Sequence, residues 1–242
     1  MLANTLVALM LGSTSVLSED EQPSDISIIG TRIVGLFEDR GDHYYNRIFT
    51  QLVDGYDGAF TITLSPIRRA SLIFSTGGAD CLFIGTSRVA AYTNHGLPLG
   101  DFIFTKPINV TKIKAYTAAG TAPIESFEEL SRGVITVDGG IGDDEQIHTH
   151  LPAGTKTIVS PSLKHGFKML DLGRTSILLA FALDVKQLLK QDQSYAKYSV
   201  SKVFVVDSSE GVVVCRRFPR TLKFIEYLND QIENLKKNNI LP

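Results

Sequence analysis

The stretch AFTITLSPIRRASLIFSTGGADCLFIG (residues 59–85) decides the fold. Ala59 to Leu64 alternates apolar and polar residues and is rich in β-branched side chains, the pattern of a strand. Ser65-Pro66 reads as a helix start, with serine as cap and proline at the first helical position. Ile67, Ala70, Ile73 and Phe74 then fall on one helical face, and Gly77 and Gly78 end it. Asp80 to Gly85 is a short apolar run, the signature of a buried strand. Upstream, Ile26 to Phe37 reads as a strand ending at Glu38, and Tyr45, Ile48, Phe49 and Leu52 recur at helical spacing. Alternating β and α units of this kind call for a parallel sheet with helices packed on it.

A second unit of the same kind follows. Phe102 to Tyr116 is extended and interrupted by Pro107. Ser126 caps a short helix, Val134 to Val137 is a strand, and DGGIGDD (138–144) is a tight turn leading to a helix over 143–150. Thr155 to Val159 is a strand, Ser162 to Leu170 a helix, Thr175 to Phe181 a buried strand, and ALDVKQLLKQ (182–191) a helix. Val203 to Asp207 returns to strand. Phe218 to Lys237 is a terminal helix with a buried stripe of Leu222, Ile225, Leu228, Ile232 and Leu235. Extended segments near 106–113 and 197–204 join the two units, so two lobes are expected, with the terminal helix packing back on the first.

Composition narrows the function. The 242 residues carry 24 Lys and Arg against 26 Asp and Glu, a net charge of −2, which argues against a nucleic-acid surface. At 43% hydrophobic and 21% charged, the chain can bury a real core. Leu6 to Leu11 is apolar, small residues follow, and acidic residues begin at Glu19, the shape of a secretory signal lacking its usual basic start. Residues 1–22 are therefore expected to be a signal peptide and the protein to reside in the periplasm. Cys81 and Cys215 each lie in an apolar run and read first as buried thiols; export leaves a disulfide open.

Several chemistries find no support. No P-loop, H-E-x-x-H, G-x-S-x-G or C-x-x-C motif occurs. Asp143, Asp144 and Glu145 would repel a pyrophosphate at the glycine turn. Asp144 and His148 share a helix face at i, i+4, but a solvated face explains them better than a metal. His43, His95 and His165 have no linking spacing. No cofactor and no metal site are expected.

The order of features resembles the bacterial extracellular solute-binding protein family 3, the type II periplasmic binding proteins of ABC importers. SPIRRASLIFSTGGADCLFIG (65–85) is similar to that family's P-x-x-R-x-x-x-x-x-x-x-G-x-x-D segment with a strand after the Asp. TKPINVTKIKAYTAAGTAPIESFEELSRGVITVDGG (105–140) resembles its crossover, and FKMLDLGRTSILLAF (167–181) its L-x-x-G-R-x-D-A element. The resemblance implies an α/β fold of two lobes, each a mostly parallel sheet flanked by helices, with residues 23–107 plus 203–242 in one lobe and 108–202 in the other. It implies hinge closure on a ligand in the cleft between them. In amino-acid binders an arginine after the third strand grips the α-carboxylate, and here GTSRVAAY (85–92) offers Arg88. The acid that usually follows the second-lobe strand is displaced: Phe181 and Ala182 stand there, Asp184 comes a turn later, and Ser176 replaces the acid of G-R-x-D.

Ligands of open α/β sheets sit outside the carboxyl ends of strands. Strand ends nominate Phe37, Glu38, Ser65, Thr86, Ser87 and Arg88 in the first lobe, and Gly139, Gly140, Gly142, Phe181 and Asp184 in the second. Phe37, Tyr44 and Tyr45 are candidates for an aromatic wall, and core packing competes most strongly for Tyr45, whose spacing matches the helix's apolar stripe. The expected function is capture of a small polar or carboxylate-bearing, amino-acid-like molecule, as a monomer feeding an ABC permease. An orphan or sensory module acting through a protein partner is the alternative. An enzyme on this scaffold would need a cleft carboxylate of shifted pKa, with Glu38, Asp143 and Asp184 available.

Overall fold

Strand β1 (Ile26–Arg32) is buried on both faces, which is why it reads as a near-continuous apolar run. Ile26 and Ile28 face one hydrophobic layer and Ile29 the other. The same division repeats in β3 (Cys81–Thr86), where Cys81 and Phe83 oppose Leu82, and in β8 (Ile177–Phe181), where Ile177 and Leu179 oppose Leu178 and Ala180. A strand buried on two sides needs helices on two sides. The structure, a computed structural model, describes residues 25–88, 90–93, 98–141, 147 and 149–241.

The remaining strands are β2 (Phe60–Pro66), β4 (Phe102–Phe104), β5 (Asn109–Thr117), β6 (Val134–Asp138), β7 (Lys156–Ser160) and β9 (Ser199–Arg216). The helices are α1 (Tyr44–Val53), α2 (Ile67–Ser75), α3 (Ala90–Thr93), α4 (Leu163–Asp171), α5 (Ala182–Gln191) and α6 (Pro219–Lys237). All these strands join one sheet, in the order β2-β1-β3-β9-β5-β8-β6-β7, with β4 on β9. Pairing is parallel within β2-β1-β3 and within β8-β6-β7. It is antiparallel wherever β5 or β9 takes part.

Two lobes are expected from the sequence, and four hydrophobic clusters result, one on each face of the sheet in each lobe, but the sheets of the lobes are continuous. Strand β9 makes the junction: its 18 residues pair with β5 over 199–211 and with β3 over 211–215. In the first lobe, α1 and α6 pack on one face through Tyr45, Ile48, Leu52, Phe224, Leu228 and Ile232, and α2 covers the other through Ala70 and Phe74. In the second lobe, α4 and α5 bury Leu163, Phe167, Leu170, Val185 and Leu188. Each such buried side chain contributes roughly 1.5–3 kcal/mol relative to exposure.

Several expectations are corrected. Cys81 and Cys215 form a disulfide rather than two thiols, because β3 and β9 place them directly opposite in antiparallel register. Strand β1 stops at Arg32; Gly35, at φ +81°, turns the chain so that Ile33 and Phe37 bridge each other. Ser65 and Pro66 end β2, and α2 follows at once with Pro66 rather than Ser65 at its N-cap, so no side chain caps that helix. The turn after Ser126 is a 3-10 turn (Glu128–Arg132) without a side-chain cap bond. Val203–Asp207 and Val212–Cys215 belong to one long strand. On α6, Leu222 is 37% exposed, and Thr221 and Phe224 are buried in its stead. By contrast, Ser162 caps α4 by accepting from the His165 backbone N–H. The expected signal peptide (1–22), His95, Gly142, Asp143, Asp144, Glu145 and His148 lie outside the described residues.

Candidate functional site

The chain begins α1 and α5 from opposite lobes and brings their first turns together. On the first-lobe side, the turn after β1 is strapped to α1. Tyr45 N–H donates to Leu36 O at 2.9 Å, and Asn46 bonds both backbone groups of Glu38. On the second-lobe side, α5 follows β8 directly. Its orphan Leu183 N–H donates to Thr111 Oγ1 of β5 at 3.1 Å, which pins the helix start against the crossing strand.

Tyr45 and Asp184 meet at this point. The Tyr45 hydroxyl donates to Asp184 Oδ1 at 3.1 Å, and Asn109 Nδ2, at the start of β5, donates to the same phenol oxygen at 3.3 Å. All three residues are buried, each 3% exposed. Asp138 closes β6 and is equally buried; it accepts from the N–H groups of Gly139 and Gly140. Burial pushes both carboxyls up to about 7, against a usual value near 3.8. For Asp138 the Asp184 charge adds to the rise, while the two glycine N–H groups oppose it. For Asp184 the Tyr45 hydrogen bond opposes it. Burial, reinforced by Asp184, also raises the phenols of Tyr44, Tyr45 and Tyr116.

The other nominated residues distribute as follows. Phe37 is 2% exposed, with its ring edge-on to Phe83 at 5.2 Å, so it is a core side chain of the first lobe and presents no wall to a cleft. Glu38 accepts from Gly35 N–H and lies 3.3 Å from His43 Nε2. Tyr44 packs edge-on against Tyr45 at 4.8 Å, beside Asp184. Ser65 sits in β2 opposite Thr31. Thr86 is clasped by Tyr92, whose hydroxyl accepts from Thr86 N–H and donates to Thr86 O. Ser87 follows in the bend, and Arg88 Nε donates to Thr86 Oγ1 at 3.3 Å. Gly139 has no room for a side chain, since a Cβ there would lie 2.6 Å from Ser160 O. Phe181 ends β8 and packs on the second-lobe core.

Tyr44, Asp184 and the Gly139–Gly140 turn thus converge, and Tyr45, Asn109 and Asp138 join them. Sequence reasoning missed Asn109 and Asp138, and it offered Tyr45 as an aromatic surface without foreseeing its hydroxyl as a hydrogen-bonding group. The signals were present: a tyrosine on a core stripe brings a hydroxyl that needs a partner, and Asp138 ends an apolar strand ahead of two glycines. A surface cavity of about 480 Å³ lies elsewhere, lined by Tyr56, Gly58, Pro219, Arg220, Lys223 and Tyr227 among others. It includes Ile26 and Ala59, at the amino-terminal ends of β1 and β2, opposite to the strand ends where ligands of such sheets sit.

No family model and no curated protein matches the chain. Solved structures do. The substrate binding protein of an amino acid ABC transporter is similar at 14% identity and TM-score 0.66, over 89% of this chain and 95% of that one. The GluR0 ligand-binding core from Nostoc punctiforme, in complex with L-glutamate, is similar at 12% identity and TM-score 0.69, over 89% and 94%. The ancestral amino acid-binding protein AncCDT-1, a precursor of cyclohexadienyl dehydratase, is similar at 13% identity and TM-score 0.67, over 90% and 92%. The fold is therefore the two-lobed type II periplasmic binding protein fold. Among the described residues no helix is long and apolar enough to cross a membrane.

Proposed function

We propose that this chain is a solute-binding protein that captures a small amino-acid-like molecule between its lobes and delivers it from the periplasm to an ABC permease. The observation that carries the reading is the convergence of polar groups from both lobes at Tyr45, Asp184 and Asn109, on a fold shared with amino-acid-binding proteins. Asp184 offers an acceptor for an ammonium group. Arg88, whose guanidinium stands beside Thr86 at the end of β3, offers a donor fork for a carboxylate. Glu38, Tyr44, Ser65, Thr86, Ser87 and Phe181, with the N–H groups around Gly139, Gly140 and Gly142, are the proposed surroundings. Affinity comes from closure, and no catalytic step is required.

Thermal shift of the purified protein against amino acids, carboxylic acids, polyamines and sugars tests this. A ligand at 100 times its Kd adds about 2.7 kcal/mol of stability. A hit among α-amino acids that Arg88→Ala abolishes supports the reading. A hit in another class retires the carboxylate role of Arg88. Silence across the panel favours a module that acts through a protein partner.

One observation favours a second reading. Asp184 is a buried carboxyl where the lobes meet, raised to about 7, the range a general acid or base needs. If a ligand found in the panel is consumed on incubation, and Asp184→Asn stops that, the chain is an enzyme on this scaffold.

A further inference from the structure

Helix α5 belongs to the second lobe, yet one of its faces is polar and turned toward the first. Asp184, Gln187 and Gln191 recur at i, i+3 and i+7, one stripe about two turns long. Asp184 and Gln187 are buried. At one end of the stripe Asp184 accepts from Tyr45. At the other, Gln191 Nε2 donates to Gly35 O at 2.8 Å, in the turn strapped onto α1. Hydrogen bonds from both ends of one helix therefore span the lobes. Asn109, at the foot of the crossing strand β5, completes the contact at Tyr45.

We propose that Tyr45 and Asp184 form a proton-dependent latch that holds the two lobes together before any ligand arrives. The geometry supplies the reason. A neutral Asp184 is satisfied by the Tyr45 hydroxyl in a buried place. An ionised Asp184 is a buried charge next to a second buried carboxyl, Asp138 on β6, and opening returns it to water. The other groups around it are Tyr44 on α1 and Tyr116 on β5, both acid-silent at neutral pH because burial and Asp184 raise them. Of the charged groups on the packed elements, Arg47 on α1 is engaged with Asp42, and Glu38 lies by His43 ahead of α1. Lys112 and Lys114 lie on β5 and Lys186 and Lys190 on α5 itself. The position of Asp184's titration agrees, since burial raises it to about 7. The closed form holds the proton more tightly, so it is favoured at low pH and loosened as pH rises toward 7.

The test needs no ligand and so is independent of the capture reading. Spin labels at Arg40→Cys and Lys168→Cys, exposed positions in different lobes, report the interlobe distance by pulsed electron resonance on the full chain. The open-to-closed ratio is expected to rise about tenfold per pH unit between about pH 5 and 6, as one coupled proton requires, and to level off as pH passes about 7. Asp184→Asn, which keeps an acceptor for Tyr45 without the charge, is expected to remain closed and lose the response. Gln191→Ala is expected to open more at every pH while retaining it. A wild-type distance distribution that does not change with pH overturns the latch even if every variant misfolds. So does an undiminished response in Asp184→Asn.

Discussion

Breaking the Cys81–Cys215 disulfide measures how far the two-lobed topology depends on one cross-link. The cysteines are 134 apart in sequence and face each other across β3 and β9. The loop they close contains β5 to β8, with α4 and α5, and β9 as far as Cys215, so the whole second-lobe core is an insertion held at its base by one bond. In the chain-entropy account, a closed loop of 134 residues lowers the entropy of the unfolded chain by roughly 17 cal/mol/K, about 5 kcal/mol at 25 °C. Residual structure in the unfolded chain reduces this, and a loss of about 3–5 kcal/mol on reduction is expected. For a chain of this size that lowers Tm by roughly 10 °C. Urea unfolding of the oxidised and the reduced protein, followed by circular dichroism, reads the difference. Reduction leaves both side chains in place, so no cavity confuses the result. Both cysteines are 0% exposed, so the native protein is expected to resist dithiothreitol until it unfolds. A difference under about 1 kcal/mol would refute the loop argument, and two free thiols titrating in denaturant without reductant would refute the bond itself.

Phe37→Ala should cost about 3–5 kcal/mol of stability, because its ring fills the first-lobe core; a drop in ligand affinity with unchanged urea midpoint would restore it to the cleft. Asp80→Ala should cost about 3–5 kcal/mol, since Asp80 accepts from Ser27 N–H, Ser27 Oγ and Arg220 Nη2 and so joins β1 to α6 while largely buried; a cost below about 1 kcal/mol makes the pair a surface one. Stability should also depend on Asp184. Its folded pKa of about 7 exceeds the usual 3.8, so its contribution is intact below 3.8 and is withdrawn as pH rises to about 7. Urea midpoints of Asp184→Asn between about pH 4 and 7 should therefore fall less with pH than those of the wild type; parallel curves would show the carboxyl to be hydrated. Gly139→Ala should lower stability because its Cβ would strike the Ser160 backbone, and a neutral result would mean that the turn after β6 yields.

Local periods were readable where a single helix or strand sets them. Helix α5 runs over the ten residues that ALDVKQLLKQ marks out, and β1 and β8 read as apolar runs because both faces are covered. Errors fell where a neighbour outvotes local preference. Ser65-Pro66 has the chemistry of a helix start, but β2 pairs with β1 as far as Pro66. Leu222 fits the helical stripe, but Thr221 turns in, because its hydroxyl donates to Arg216 O and Phe218 O. Phe37 ends a run of apolar residues, yet the Gly35 turn folds it back into the core.

What the sequence determined alone is the order of the elements and the kind of fold they build. Hydrophobic periodicity and turn residues act over a few neighbours, and a βαβ order leaves few ways to bury both faces of its strands. The candidate site was legible only as a set of strand ends. Which groups meet there was decided by tertiary structure. Tyr45 and Asp184 are 139 residues apart, and Cys81 and Cys215 are 134 apart. Both pairings depend on β5 and β9, which run between the lobes and set one lobe's register against the other's. No local pattern encodes a register between segments so distant, because it is chosen by the packing of everything between them.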